Sequence, residues 1–173
     1  MKPSLDRADM PLRMRALLVN DAGYPVPWFV GWIDGKPDFR TMDGRKVEYA
    51  RRNPVCWVCG GLRLYGAPAA FVIGPMCAVN RVSAEPPSHL DCAVYSATHC
   101  PFLTIPKMHR VEPGHPAVAK VGAGISIRRN PGVALVWISR SWQPFRDPVG
   151  GWLWNVGEPL EARWYAEGPR GDP

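Results

Sequence analysis

The chain has 173 residues, enough for one domain or for a core with a small appended module. Its hydrophobic content of 46% permits a buried core, while 20 prolines and 17 glycines argue against an architecture of long helices. The net charge of +6 permits a polyanionic partner without requiring one. No stretch approaches the roughly 18 consecutive apolar residues of a membrane-spanning helix, so no membrane partner is expected.

Residues 1–12 are predicted to form a flexible leader. This segment carries Asp6, Asp9 and two prolines, and it lacks the apolar region of a secretion signal. The chain has five cysteines, an odd number that disfavours a disulfide framework. Together these features predict a cytoplasmic protein whose thiols stay reduced.

Residues 13–103 are predicted to form an α+β core. Its first half contains three strands and a helix, with an Asp34-Gly35 turn that signals a hairpin between the second and third strands. The predicted ranges are a strand at 16–19, a strand within 24–33 that begins at a sheet edge, a returning strand at 38–42 and a helix at 44–52.

The second half of this core is predicted to contain a β-hairpin and a helix. The hairpin strands are 62–65 and 70–74, followed by a bend at 75–77 and a polar loop at 80–87. The helix covers 88–99: Ser88 and Asp91 fit a capping box at its start, and Pro101 ends it.

A connector at 104–131 leads to a β-rich part, 132–173, that we expect to pack on the same domain. Strands are predicted at 133–139, 142–145 and 152–156. A short final helix is predicted from residue 158, because Pro159 is acceptable near a first helical position. The predicted fold is therefore α+β, with small antiparallel sheets and short helices.

Two residue pairs predict a metal site. Cys56 and Cys59 form a CxxC turn followed by Gly60, which relieves crowding in a tight knuckle. His89 and Cys92 are three residues apart, so on a helix they share one face. The four side chains together suit a tetrahedral zinc ion, and the predicted α+β core surrounds this site.

The sequence leaves other ligand sets open. Cys77 is a competing ligand, although we favour it as a small, buried hydrophobic residue. Cys100 lies two helical turns after Cys92, and a set of Cys56, Cys59, Cys92 and Cys100 would suit an iron–sulfur cluster. His99 is a further alternative ligand. A thioredoxin-like redox role for the CxxC turn would need a βαβ context, which its neighbours do not supply.

The order of knuckle, β-hairpin and helix resembles the treble-clef zinc finger over about residues 54–101. The residues that carry the resemblance are Cys56, Cys59, His89 and Cys92. It implies a structural zinc but no single activity, because treble clefs host several chemistries. The phrases at 23–29, 71–81, 85–89 and 100–103 also resemble a family of bacterial and phage proteins, a resemblance that implies no activity.

The favoured function is a zinc-stabilised intracellular binding protein with nucleic acid as the candidate partner. Basic side chains bind phosphates by neutralising charge and releasing counterions. The basic residues of this chain are scattered along the sequence, so the competing interpretation is that they form an ordinary solvated surface. Five tryptophans flanked by apolar residues are expected in the core: Trp28, Trp32, Trp137, Trp152 and Trp154. The candidate nucleic-acid contacts are Arg51, Arg52, Arg63, Lys107, Arg110, Arg128 and Arg129.

Three alternative functions stay open. A phage-type adaptor would bind a host protein through its exposed aromatic residues. A loop enzyme would use Glu85 and Arg81 as an acid/base and anion-binding pair. A metal-dependent nuclease of the HNH-like treble-clef type would need a general-base histidine and a second metal held by His or Asn beside the finger. Its candidates, none in the expected strand–turn–helix arrangement, are His99, His109, His115 and Asn80.

Overall fold

The computed structural model describes residues 7–104, 132–148 and 150–166. This part of the chain combines short helices with small antiparallel sheets, which confirms the α+β class. Its helices are a 3-10 turn Leu12–Met14, α1 Gly44–Arg52, α2 Pro75–Asn80, α3 Leu90–His99 and α4 Pro101–Thr104. Its strands are β1 Val30–Ile33, β2 Lys36–Met42, β3 Ala69–Ile73, β4 Val82–Ser83, β5 Val133–Ser139, β6 Trp142–Arg146, β7 Trp152–Val156 and β8 Glu161–Ala166.

The strands form one two-stranded and two three-stranded sheets. Their orders are β1-β2, β3-β5-β8 and β4-β7-β6. Each three-stranded sheet joins one strand from before residue 104 to two strands from after residue 132. Strands from before residue 104 and after residue 132 therefore pair in both of these sheets. Of the connector predicted at 104–131, Thr104 ends helix α4 and residues 105–131 lie outside the described residues.

The N-terminal segment differs from its prediction. Met10 and Met14 are buried, and they pack against Cys56, Cys92 and Tyr95. Met10, inside the predicted leader, is therefore part of the core, while Arg7, Ala8, Asp9 and Leu12 are exposed. The strand predicted at 16–19 is also absent, because the chain turns back there and Val19 makes only an isolated bridge to Pro25.

The predicted β1–β2 hairpin and helix α1 are confirmed. Asp34 and Gly35 both have positive φ, the conformation that a tight two-residue hairpin turn requires. Helix α1 begins after Asp43, whose carboxylate accepts a hydrogen bond from the amide of Arg45 at 2.9 Å. This cap lies directly before the run of basic residues on α1.

The β-hairpin predicted after the knuckle does not form. Residues 62–65 form a loop, in which Leu62 makes an isolated β-bridge to Val55. Strand β3 instead pairs along its length with β5, from Ala69–Ser139 to Ile73–Leu135. The physical reason is burial: β5 provides a long apolar partner, whereas the side chains of 62–65 other than Arg63 face solvent.

The segment between β3 and α3 is more ordered than predicted. The predicted bend is helix α2, which begins at Pro75, a residue suited to a first helical turn. The predicted polar loop contains β4, whose Val82 and Ser83 pair with Asn155 and Trp154 of β7. Long-range pairing therefore creates a strand where the local sequence is polar.

Helix α3 is confirmed, but its predicted capping box is wrong. His89 is the N-cap residue, and its side chain makes no capping hydrogen bond. Ser88 is buried and forms a backbone bridge with Ala70, with N–O distances of 2.8 and 3.0 Å. Ser88 therefore pairs with strand β3 instead of capping α3. The helix ends before Pro101 as predicted.

The predicted final helix is wrong, whereas the three preceding strands are confirmed. Residues Glu161–Ala166 form β8, which pairs with the edge of β5 that β3 leaves free. Unpaired N–H and C=O groups along β5 favour an added strand. Trp164 and Tyr165 also have high strand propensity.

The core lies between the two three-stranded sheets and their covering helices. Trp154 and Trp137 are buried as predicted, and Trp154 packs with Phe71, Leu135 and Val156. Trp28 and Trp152 are half-buried. The prediction is wrong for Trp32, which is 46% exposed on the two-stranded sheet.

Candidate metal centre

Cys56, Cys59, His89 and Cys92 converge on one point. One ligand atom from each residue lies within 4.8 Å of those of the other three. The Nδ1 atom of His89 is 3.4 Å from Sγ of Cys59 and 3.9 Å from Sγ of Cys92. This arrangement of three sulfurs and one nitrogen is compatible with tetrahedral metal binding.

Backbone hydrogen bonds shape the knuckle that carries the first pair. The amide of Cys56 donates to Gly61 O and the amide of Gly60 donates to Cys56 O, each at 2.8 Å. Gly60 has a φ of +73°, and a Cβ added there would lie 2.6 Å from Cδ1 of Trp28. Glycine at this position allows both the turn and the close approach of the indole.

The start of α3 places the second pair. His89 is the N-cap and Cys92 lies in the first turn, so both point from the same end of the helix. The backbone amide of His89 donates to Sγ of Cys56 at 3.3 Å. On the far side of the ring, Nε2 lies 3.1 Å from the carbonyl oxygen of Leu62. That contact fixes the imidazole orientation, as outer contacts of metal-binding histidines do.

The centre is closed on its inner side. Cys56 and Cys92 are fully buried, and an apolar wall of Met10, Met14 and Val58 covers them. Such a wall restricts water access and supports metal–thiolate bonding. Met10 and Met14 were not among the predicted site residues, although their spacing of four residues is a helical contact signal.

The four side chains form one electrostatic unit. Hydrogen bonds with Cys59 and Cys92 hold the pKa of Cys56 well below its usual range, and the same network with burial raises the pKa of Cys92. Burial acts to lower the pKa of His89, but Cys56 and Cys59 outweigh it and raise that pKa to about 9. The raised pKa of His89 reflects the negative charge of Cys56 beside it, a charge that a bound cation would also neutralise.

Arg63 lines the same groove as His89 and is 8% exposed. Its Cζ is 4.7 Å from the centroid of the Trp142 ring, and Nε donates to Val55 O at 3.4 Å. Burial lowers the pKa of Arg63, while the negative charge of Cys56 raises it. Three thiolates and a neutral imidazole around a divalent ion leave one net negative charge, so Arg63 is placed to balance it.

The alternative ligands lie outside the cluster. Cys77 is half-buried against the core around Phe71, and burial raises the pKa of its thiol. Cys100 is the C-cap of α3. The ring of His99 stacks on Tyr95 with centroids 4.1 Å apart. The set of four cysteines that would suit an iron–sulfur cluster is therefore not brought together.

The candidate nucleic-acid residues are placed differently from one another. Arg51 and Arg52 on α1 each contact Glu48 at 2.7 Å. Arg63 is buried, which removes it from the set of exposed phosphate contacts. The four others, Lys107, Arg110, Arg128 and Arg129, lie outside the described residues.

The loop-enzyme and nuclease residues do not form a site in the described part of the chain. Arg81 pairs with Glu158, and the backbone of Glu85 bonds twice to Oγ of Ser83. Asn80 accepts a hydrogen bond from the amide of Val82 at 2.9 Å. His109 and His115 lie outside the described residues.

Comparisons with family models, curated proteins and solved structures find no match to this chain. Within the described ranges, no helix is long and apolar enough to cross a membrane. The fold and the site therefore define the class on their own: a small α+β protein with a Cys3His cluster that can bind a metal ion.

Proposed function

We propose that this chain is a zinc-stabilised binding protein whose partner is nucleic acid. The observation that carries the metal assignment is the closed set of Cys56, Cys59, His89 and Cys92. Zinc suits three thiolates and one imidazole better than harder cations do. The knuckle followed by a helix that carries the second ligand pair keeps two parts of the treble-clef order, although the β-hairpin between them is replaced by a loop and by β3, which pairs with β5.

The four-ligand set favours a structural role for the zinc. A catalytic zinc keeps a position for water or substrate, whereas four protein ligands fill the tetrahedron. The ligands also link segments far apart in sequence, the knuckle at 56–59 and the start of α3 at 89–92. Metal binding therefore contributes directly to folding free energy.

Charge supports nucleic acid as the partner class. The chain carries a net charge of +6, and α1 contains four basic residues and one acidic residue among its nine. Such a surface neutralises phosphates without reading bases. Affinity for a labelled 20-nucleotide strand should fall steeply between 50 and 200 mM salt. A flat salt response, or no binding at low salt, would contradict the proposal.

Cobalt substitution tests the structural role of the metal. Cobalt(II) bound by three thiolates and one imidazole gives the visible absorption bands of a four-coordinate site. We expect this spectrum to remain unchanged when nucleic acid is added. A five-coordinate spectrum, or one that responds to added small anions, would indicate an open position and a catalytic metal.

A second candidate, a phage-type adaptor that binds a host protein, is favoured by one exposed loop. Leu62, Leu64 and Tyr65 are 74%, 82% and 98% exposed. This loop borders a groove of about 870 Å³ whose other wall is α3. Exposed neighbouring apolar residues are typical of protein-binding surfaces. Replacing Leu64→Asp and Tyr65→Asp together should abolish partner binding if the adaptor function is correct.

A further inference from the structure

Three arginines on the described surface are linked into one continuous cluster. The Nη2 atoms of Arg52 and Arg51 each lie 2.7 Å from the same oxygen of Glu48. The guanidinium carbons of Arg51 and Arg146 both lie over the ring of Trp152, each 4.6 Å from its centroid. We call these five residues the arginine cluster.

Two separate elements build this cluster. Helix α1 supplies Glu48 with Arg51 and Arg52 at spacings of three and four residues, which place the side chains together. The β6–β7 hairpin supplies Arg146 and Trp152, which are direct partners in the register. Trp152 therefore contacts both Arg51 of the helix and Arg146 of the sheet.

The cluster has an excess of positive charge. Three guanidiniums are opposed by the single carboxylate of Glu48. The side chain of Arg52 is 66% exposed, and Arg146 is also exposed, whereas Arg51 is held closer to the protein at 26%. Like charges held close together are costly unless an anion neutralises them.

Stacking on tryptophan holds a guanidinium flat and leaves N–H groups at its edge for an anion. Planar N–H donors match phosphate oxygens, which is why arginine is common in nucleic-acid recognition. The guanidiniums of Arg51 and Arg146 both lie over the ring of Trp152, so the ring supports these two side chains. The cluster therefore offers charge and donors to a backbone and not a free aromatic face to a base.

We propose that the arginine cluster is the nucleic-acid contact surface and that it binds backbone phosphates. This inference rests on the proposed nucleic-acid binding and assigns its location. The residues singled out in the sequence, Arg51 and Arg52, contribute to it, and Arg146 and Trp152 are additions that only the fold brings together. The zinc centre has a separate role in stability.

Fluorescence anisotropy with zinc-loaded protein and a 15-nucleotide oligo(dT) tests the location. The Arg51→Gln/Arg146→Gln double variant should bind at least about tenfold more weakly at 50 mM salt. Its plot of log affinity against log salt should be shallower by about 1.4, the value for two single-strand phosphate contacts. The matched control, Arg140→Gln/Arg163→Gln, removes the same charge elsewhere and should retain nearly wild-type affinity.

Two further variants keep the test informative if the double variant unfolds. Arg146→Gln alone changes an exposed side chain on β6 and should weaken binding about threefold or more. Glu48→Gln removes the single carboxylate of the cluster and should strengthen binding about threefold, even though it loses two ion pairs. Zinc content and circular dichroism should confirm that each variant is folded.

Each outcome has a distinct meaning. If the wild type does not bind oligo(dT) or duplex DNA at low salt, the proposed function itself is wrong. If the wild type binds but both double variants lose affinity equally, or neither does, the partner class stands and this location is wrong. Binding of polyglutamate with equal affinity would overturn the assignment to phosphate.

Discussion

Single residues fix the geometry of the knuckle, and Gly60 shows this most directly. Its positive φ and its contact with Trp28 act together, because any side chain would strain the backbone and also collide with the indole. Gly23 provides a comparison, since its φ is +85° and a Cβ added there would have nothing within 4 Å. Comparing Gly60 with Gly23 therefore separates the cost of backbone strain from the cost of steric overlap.

Gly60→Ala should destabilise the protein more than Gly23→Ala. Backbone strain alone costs about 1 to 2 kcal/mol for a residue in the left-handed region. At Gly60 the overlap with Trp28 adds to that cost, and zinc affinity should fall because the knuckle must shift. Urea unfolding with excess zinc measures both variants, and equal losses of stability would contradict the role of this contact.

Arg63 tests the electrostatic balance of the metal centre. Removing the cation that lies beside Cys56 leaves the excess charge of the cluster less compensated. Arg63→Gln should therefore weaken zinc affinity about tenfold to a hundredfold, the range for outer contacts of metal sites. Competition with a colorimetric chelator gives the affinity. Arg163→Gln, which removes a charge from β8, should leave it unchanged.

At the scale of elements, α1 is stabilised by an ion-pair group that also sets its pH response. A hydrogen bond with Arg51 is the largest cause that lowers the pKa of Glu48 to about 2, and Arg52 adds to it. Because the folded pKa lies below the ordinary value of 4.5, this contribution is present above about pH 5. It is lost as the pH falls toward 2.

Glu48→Gln should accordingly reduce stability at pH 7 relative to the wild type. The difference between the two proteins should shrink as the pH falls through 4.5 toward 2, because the wild-type carboxyl becomes neutral as well. Thermal unfolding of both proteins at matched pH values provides the comparison. A difference that stays constant from pH 7 to pH 3 would contradict the role assigned to Glu48.

Elements set by local signals could be predicted, and elements set by distant partners could not. The Asp34-Gly35 turn, α1 and the strands β5 to β7 each carry their own signal. Strand β8 forms because β5 has a free edge, and no local pattern distinguishes it from a helix. The hairpin after the knuckle was wrong for the same reason, since the partner of β3 begins at residue 133.

The same distinction between local signals and distant partners holds within the candidate site. The spacings of Cys56–Cys59 and His89–Cys92 were sufficient to predict the cluster, because both pairs are local. The position of Arg63 depends on Trp142 from a strand almost eighty residues later, so its burial could not be predicted. The contact between Arg146 and Arg51 through Trp152 is equally non-local.

In the whole molecule, the Cys3His cluster joins segments that lie far apart in the sequence. It brings together the N-terminal methionines, the knuckle and α3, while the sheets hold the rest of the described chain. Removal of zinc should therefore weaken the region around α3 before it disrupts the sheets. Metal binding and folding are coupled in such sites.

Chelation of zinc should lower the thermal midpoint. Zinc present at 1,000 times its Kd stabilises the folded state by about 4 kcal/mol, which corresponds to about 8 to 16 °C for a chain of this size. Differential scanning calorimetry with and without a chelator measures the shift, and added zinc should restore the midpoint. An unchanged midpoint in protein shown to be metal-free would contradict a structural role.

Metal content by elemental analysis tests the central claim most directly. We expect one zinc per chain in the wild type and in Cys77→Ser, whose thiol packs in the core. Zinc should be lost from Cys56→Ser, His89→Ala and Cys92→Ser, because each variant removes one of the four ligands. Iron in the wild type, or a full zinc content in His89→Ala, would contradict the Cys3His centre.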